Sequence, residues 1–160
     1  MFDITLITMG TLKEIFYLSA AEEYLKRLKG YCNFHLVELP EHRLPEDPSP
    51  AEIAAGLDKE AELIIQKIPM GAWLCIFTPE GKTLSSEQFA AKLKEIKLSG
   101  KGSACFRIGS SFGISPKVKE KADFKLSMGP MTFPHHLARI MVLEQIYRAE
   151  AIQAGSKYHK

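Results

Sequence analysis

The sequence predicts a single α/β domain over residues 1–160, a mainly parallel sheet with helices on both faces. Three observations point there. Apolar runs of strand length alternate with segments of helical period along the chain. One run, Ala72–Thr78 (AWLCIFT), is almost wholly apolar, as a central strand covered on both faces is. Two serine-led capping signatures, Ser49-Pro50-Ala51-Glu52 and Ser85 with Gln88 three residues on, mark helix starts between such runs. A length of 160 residues suits one domain, and 46% apolar content suits an ordinary packed core.

The elements follow in order. Phe2–Met9 is a β-branched and apolar run broken by Gly10, the pattern of a buried strand. Residues 12–29 switch to helical period, with Ile15, Leu18, Ala21, Leu25 and Leu28 on one face and Gly30 placed to end the helix. Phe34–Leu39 is a second strand stopped by Pro40, and Glu41–Pro50, rich in proline and acids, is a surface loop. The first capping box opens a helix to about Lys67; Ala72–Thr78 is the third strand, and Pro79-Glu80-Gly81-Lys82 is read as the turn after it. Ser85 opens a helix through about Leu98. Ala104–Ile108 is a fourth strand running into Gly109-Ser110-Ser111-Phe112-Gly113; Ser115-Pro116 starts a short helix, and Ala122–Met128 is a weak fifth strand. A long amphipathic helix follows Pro134, before the polar tail Gly155–Lys160.

Composition narrows the function classes. No apolar run approaches the roughly 18 residues of a membrane span, and MFDITLITMG shows no secretory pattern, so the expected compartment is the cytoplasm. Cys32, Cys75 and Cys105 form no C-x-x-C pair and read as small buried apolar residues. Residues 1–91 hold 8 Lys/Arg against 14 Asp/Glu, whereas residues 92–160 hold 13 against 5. The basic second half, with Lys92, Lys94, Lys97, Lys101, Arg107, Lys117, Lys119, Lys121 and Lys125, is either a phosphate-attracting face or a solvated surface of lysines.

Parallel α/β sheets bind ligands at the carboxyl ends of their strands, beside a topological switch point. That rule selects Thr78–Lys82, Gly109–Gly113 and Met128–His136. The glycines at each end of the second loop either let backbone approach a ligand or make a tight turn. The third combines Met128, Met131 and Phe133 with Gly129, Pro130 and Thr132, which suits a flat aromatic ligand such as adenine; the alternative is a loop packed under the last helix. No G-x-G-x-x-G, Walker or G-x-S-x-G motif occurs, and the five histidines lack metal-ligand spacing, so no metal is expected. Glu144, Tyr147 and Arg148 share adjoining faces of the last helix; Glu144 and Arg148 are either a surface ion pair or a substrate-orienting one.

Taken together, Ile76–Lys82 (IFTPEGK), Ile108–Gly113 (IGSSFG), Met131–His135 (MTFPH), Tyr147-Arg148-Ala149 and the terminal Tyr158-His159-Lys160 resemble, in order and spacing over the full length, the RlmH family. These are bacterial large-subunit ribosomal RNA pseudouridine N3-methyltransferases of the SPOUT superfamily. The resemblance implies a carboxyl-terminal trefoil knot, an exception to the rule against knots, S-adenosylmethionine as cofactor, a homodimer, and the 23S RNA of the large ribosomal subunit as partner. It places cofactor contacts on Phe77, Gly109, Met128, Gly129, Pro130, Met131, Thr132 and Phe133. It also implies catalytic roles for Glu144, Arg148, Tyr158 and His159, and RNA contacts for Arg139, Arg148, Lys157 and Lys160. His159 or Glu144 is expected to accept the N3 proton, and Arg139 or Arg148 to stabilise the anionic ring. The tail is expected to reach the cofactor of a partner subunit. Thr78 stands where many relatives have Asp and Ser110 where they have a second Gly, departures that bear on cofactor affinity. The competing readings are a non-catalytic RNA-binding or ribosome-associated module on the same fold, a protein binding NAD, FMN or ATP, and a transfer RNA methyltransferase.

Overall fold

A computed structural model describes residues 1–160. The elements are β1 (Asp3–Met9), α1 (Ile15–Leu28), β2 (Asn33–Leu39), α2 (Pro50–Lys67), β3 (Trp73–Lys82), α3 (Ser86–Leu98), β4 (Ser103–Ile108), α4 (Pro116–Lys121), β5 (Phe124–Leu126) and α5 (His135–Gln153). The five strands form one sheet in the order β2-β1-β4-β3-β5, and every pairing is parallel.

Alternation along the strands sorts the core into two layers. Ile4, Leu6, Trp73, Cys75 and Phe106 pack with α1, α3 and α5 on one face. Ile7, Leu74, Ile76 and Cys105 pack with α2 and α4 on the other. Side chains of a strand alternate between faces, so a strand covered on both sides must be apolar throughout. Helix starts fall where the capping boxes place them: the Ser49 hydroxyl accepts from the Glu52 amide, and the Ser85 hydroxyl accepts from the Gln88 amide. Replacing Ser49 by alanine is expected to cost about 1 kcal/mol in denaturant unfolding, while Ser49→Asp should leave the midpoint nearly unchanged.

Two elements depart from the sequence reading. The apolar stripe of α1 is only partly buried: Ala21 and Leu28 are inside, but Ile15 is 80% exposed and Leu18 39%. Helical period locates a stripe without saying which partner covers it.

The segment Pro79–Lys82 is no turn. It continues β3, with a register shift between Phe77 and Lys82 that brings Lys82 opposite Leu126 of β5. Glycine makes the crossing possible, because a Cβ on Gly81 would lie 2.7 Å from backbone atoms of Lys125 and Leu126. Proline and glycine ordinarily signal a turn; here they serve a bulge on a strand that has already left the sheet centre.

Candidate active site

The chain departs from the sheet at the carboxyl ends of β3 and β5, between the start of α3 and the middle of α5. A cavity of about 450 Å³ lies there. Phe77, Leu126 and Met128 give it apolar walls; Ser86, Ser127 and Gly129 add polar groups; Glu144 and Gln145 close the side toward α5. Volumes of this order are typical of small-molecule sites. Of the expected cofactor contacts, Phe77, Met128 and Gly129 line it.

Gly109, Pro130, Met131, Thr132 and Phe133 do not line the cavity. Gly109 is shaped by its own loop: a Cβ there would sit 3.1 Å from Gly113 and Ile114, and Ser110 and Gly113 exchange backbone hydrogen bonds of 3.2 and 3.0 Å. Met131 is 75% exposed. The Ser111 hydroxyl lies 3.3 Å from His135 Nδ1, tying the loop after β4 to the loop before α5. The carboxyl-end loops therefore gather as the switch-point rule requires, though only part of them walls the cavity. Thr83, Leu84, Phe89 and Met141 also line it. Nothing in their residue types marks them; they belong to the site because β3 runs past the sheet and α3 starts beside it.

The buried Thr78 hydroxyl donates to the Glu80 carboxylate. Lys119 donates to the other Glu80 oxygen at 2.7 Å. The bond from Lys119, and after it the one from Thr78, pulls the Glu80 carboxyl down to about 2. Its contribution to stability is present above the ordinary carboxyl value and lost as the pH falls toward 2.

Beside the cavity the tail and α5 build a polar cluster. Glu144 Oε1 accepts from Arg148 Nε and Nη2 at 2.9 and 2.6 Å and from the Tyr158 hydroxyl at 3.0 Å. Its Oε2 accepts from Gln145 at 2.8 Å. Arg148 Nη1 meets His159 Nδ1 at 3.0 Å, and His159 Nε2 meets Glu87 at 2.8 Å. A guanidinium only donates, so Nδ1 accepts and Nε2 carries the ring proton toward Glu87. That bond holds the Glu87 carboxyl below its ordinary range. The four expected catalytic residues are thus brought together. The tail turns back on the α5 and α3 of its own chain, with Tyr158 edge-on to Tyr147 at 4.7 Å.

Two roles can be read from these bonds. Burial, and then the hydrogen bond to Glu144, push the Tyr158 phenol up to about 12, so near neutrality it donates and takes no proton. An ultraviolet titration should show a tyrosine step at about 12, and Tyr158→Phe should remove it. Glu144 is saturated with donors and suits an orienting role. His159 Nδ1, which accepts a single hydrogen bond, from Arg148, is the better proton acceptor.

Arg139 is not an RNA contact. It is 1% exposed, donates to Glu38 at 2.6 Å and to the carbonyls of Met9 and Gly10 at 3.1 and 3.0 Å, and so ties α5 to the ends of β1 and β2. An arginine and a phosphate-binding arginine look alike in sequence; burial separates them. Arg139→Ala is expected to destabilise by about 3 kcal/mol, discounted from the fully buried case because Glu38 is partly exposed, and to leave RNA affinity of the folded fraction unchanged.

Arg107 also leaves the basic face, being 1% exposed, with burial pulling its guanidinium down to about 10. Several lysines of that face are paired: Lys92 with Glu95, Lys97 with Glu150, Lys117 with Asp58 and Lys119 with Glu80. Lys157 and Lys160, by contrast, are exposed.

A parallel sheet with an apolar cavity outside its strand ends, one wall of which, Glu144, is bonded to Arg148 and Tyr158, is the arrangement of the α/β proteins that take a small ligand beside their strand ends. Residues 2–159 match the family described as "Predicted SPOUT methyltransferase". The chain is 44% identical over 158 residues to the ribosomal RNA large subunit methyltransferase H of Carboxydothermus hydrogenoformans, covering 99% of each chain. It is 44% identical over 157 residues to the protein of that name from Streptococcus thermophilus, covering 98% of this chain and 99% of that one. A solved probable methylase family protein from Haemophilus influenzae superposes with a TM-score of 0.50 at 16% identity, over 98% of this chain and 70% of the other, a likeness of fold. The chain belongs to the SPOUT methyltransferase family and is a methyltransferase. No helix is long and apolar enough to cross a membrane.

Proposed function

We propose that this enzyme transfers a methyl group from S-adenosylmethionine to N3 of a pseudouridine in large-subunit (23S) ribosomal RNA, in the cytoplasm and as a homodimer. The observation that carries the reading is that Glu144, which lines the cavity with Phe77, Met128 and Gly129, is bonded to Arg148 and Tyr158, and through Arg148 to His159. The names of the curated relatives support the RNA class.

The cavity fits the cofactor in size and character. Phe77, Leu126 and Met128 would sandwich a flat base, and Ser127 and Gly129 would meet its polar edge. Bound there, S-adenosylmethionine supplies an electrophilic methyl group. The chain's own residues do the rest, mainly by positioning. Glu144 fixes the planes of Arg148 and Tyr158. Arg148 faces the imide with a permanent positive charge and stabilises the ring as N3 loses its proton. His159 Nδ1 takes that proton as Arg148 Nη1 releases the ring, while Nε and Nη2 stay on Glu144. Ile15, Phe16 and Leu18, exposed on the first turns of α1, offer a second copy an apolar contact.

Calorimetry with S-adenosylmethionine should give saturable binding. Mass spectrometry of ribosomal RNA from cells with and without the gene should show the loss of one methylpseudouridine. No heat at high cofactor concentration, or an unchanged RNA, would overturn the reading. Sedimentation of the purified chain at the mass of one copy would overturn the dimer.

A further inference from the structure

The polar cluster accounts for Tyr158 and Arg148 but leaves the rings beyond them unexplained. Tyr147 lies edge-on to Tyr158, with centroids 4.7 Å apart, and to Tyr31 at 5.8 Å; Tyr24 is tilted against it at 6.2 Å. All four rings are half-buried, so each keeps part of its surface in solvent. Two guanidinium groups cover the row: Arg27 stands 5.5 Å from the Tyr24 ring and 5.6 Å from the Tyr147 ring, and Arg148 4.7 Å from the Tyr158 ring. The carboxyl end of α1, the middle of α5 and the tail thus form one continuous ledge, ending at Glu144 and the cavity wall.

Charge decides what such a ledge receives. Lys26 and Lys29 flank Arg27, and Lys157 and Lys160 flank Tyr158, all exposed. Glu23 and Glu144 hold the two arginines in plane without neutralising these lysines. The apolar side chains Ile15 and Phe16 lie at the other end of the same helix, so an oily surface suited to a second copy is separate from this one. Aromatic rings interleaved with cations are the means by which proteins hold unpaired nucleotides: bases stack on the rings or on arginine planes, and lysines meet the phosphates. A paired RNA helix hides its base faces and has no use for the row.

We propose that the Tyr24, Tyr31, Tyr147 ledge with Arg27 receives unpaired nucleotides of the RNA beside the target base and guides that base toward the cavity. The proposal rests on the RNA-methyltransferase reading and adds the surface that carries the substrate. It moves the RNA-binding face from the lysine-rich α3 and α4 region to α1 and the tail.

The test is binding of the full-length protein to large ribosomal subunits from cells lacking the gene, with methyl transfer measured on the same subunits. Tyr31→Ala should weaken binding and raise KM roughly ten-fold with kcat nearly unchanged, and Tyr31→Phe, which keeps the ring, should restore both to about the wild-type values. Lys26→Ala with Lys29→Ala, which disturbs no packing, should lower the slope of log affinity against log salt by roughly 1, while Tyr31→Ala leaves the slope alone. Wild-type affinity in both Tyr31→Ala and the double lysine variant would overturn the proposal. So would dissociation of a dimer by Tyr31→Ala, which would make the ledge a contact between copies. Tyr31-dependent binding without methyl transfer by the wild type would sink the functional reading and leave the ledge standing.

Discussion

Removal of Lys157–Lys160 is expected to lower methyl transfer at least about a hundredfold, the scale of losing a positioned proton acceptor, while S-adenosylmethionine binds nearly as before. The two effects separate because the cavity wall contains none of these four residues. The polar cluster, by contrast, loses the Tyr158 hydroxyl from Glu144 and His159 from Arg148. Arg148 keeps its two bonds to Glu144, but no imidazole remains beside it to take the N3 proton. His159→Ala alone should reproduce most of the loss, and Tyr158→Phe less, since stacking on Tyr147 persists. Single-turnover measurement at saturating cofactor reads the effect directly. Transfer within a factor of about two of wild type would remove the tail from the chemistry.

Gly81→Ala is expected to have the largest effect on stability. A Cβ at 2.7 Å from Leu126 N, Leu126 C and Lys125 C meets backbone rather than a side chain that can swing aside. Overpacking of this kind costs about 3 kcal/mol or more where the neighbour cannot give. Both strands that wall the cavity would be pushed apart, so cofactor affinity should fall together with the midpoint of urea unfolding. An unchanged midpoint would show that β3 and β5 do not approach so closely.

The sheet was legible because its central strands are apolar on both faces, and the helix starts because Ser49 and Ser85 carry their capping partners three residues on. The switch-point rule pointed to the end of the sheet where the cavity lies. It could not find which side chains wall the cavity, because Thr83, Leu84 and Ser86 are brought there by the bulged continuation of β3, which Pro79 and Gly81 disguised as a turn. The polar cluster was legible only through family resemblance: Glu144 and Arg148 are spaced like any surface pair on a helix, and nothing local joins them to His159. Arg139 and Arg107 show the limit of counting charge, for both are enclosed. The tyrosine ledge escaped notice because its rings come from α1, the turn after it, α5 and the tail, which no single window of sequence spans.

The strand order has a consequence for how the protein is born. β3 is synthesised before either of its neighbours, β4 and β5, so the nascent chain holds an oily segment with no place to dock until residue 108 has appeared. The β1–β2 pair can form early, but α5, which seals the face above β1 and β4, is the last helix made. Non-local pairing of this sort is slow and leaves sticky intermediates. Folding should therefore be completed only once α5 is available, and fragments that stop short of α5 should be prey to chaperones and proteases.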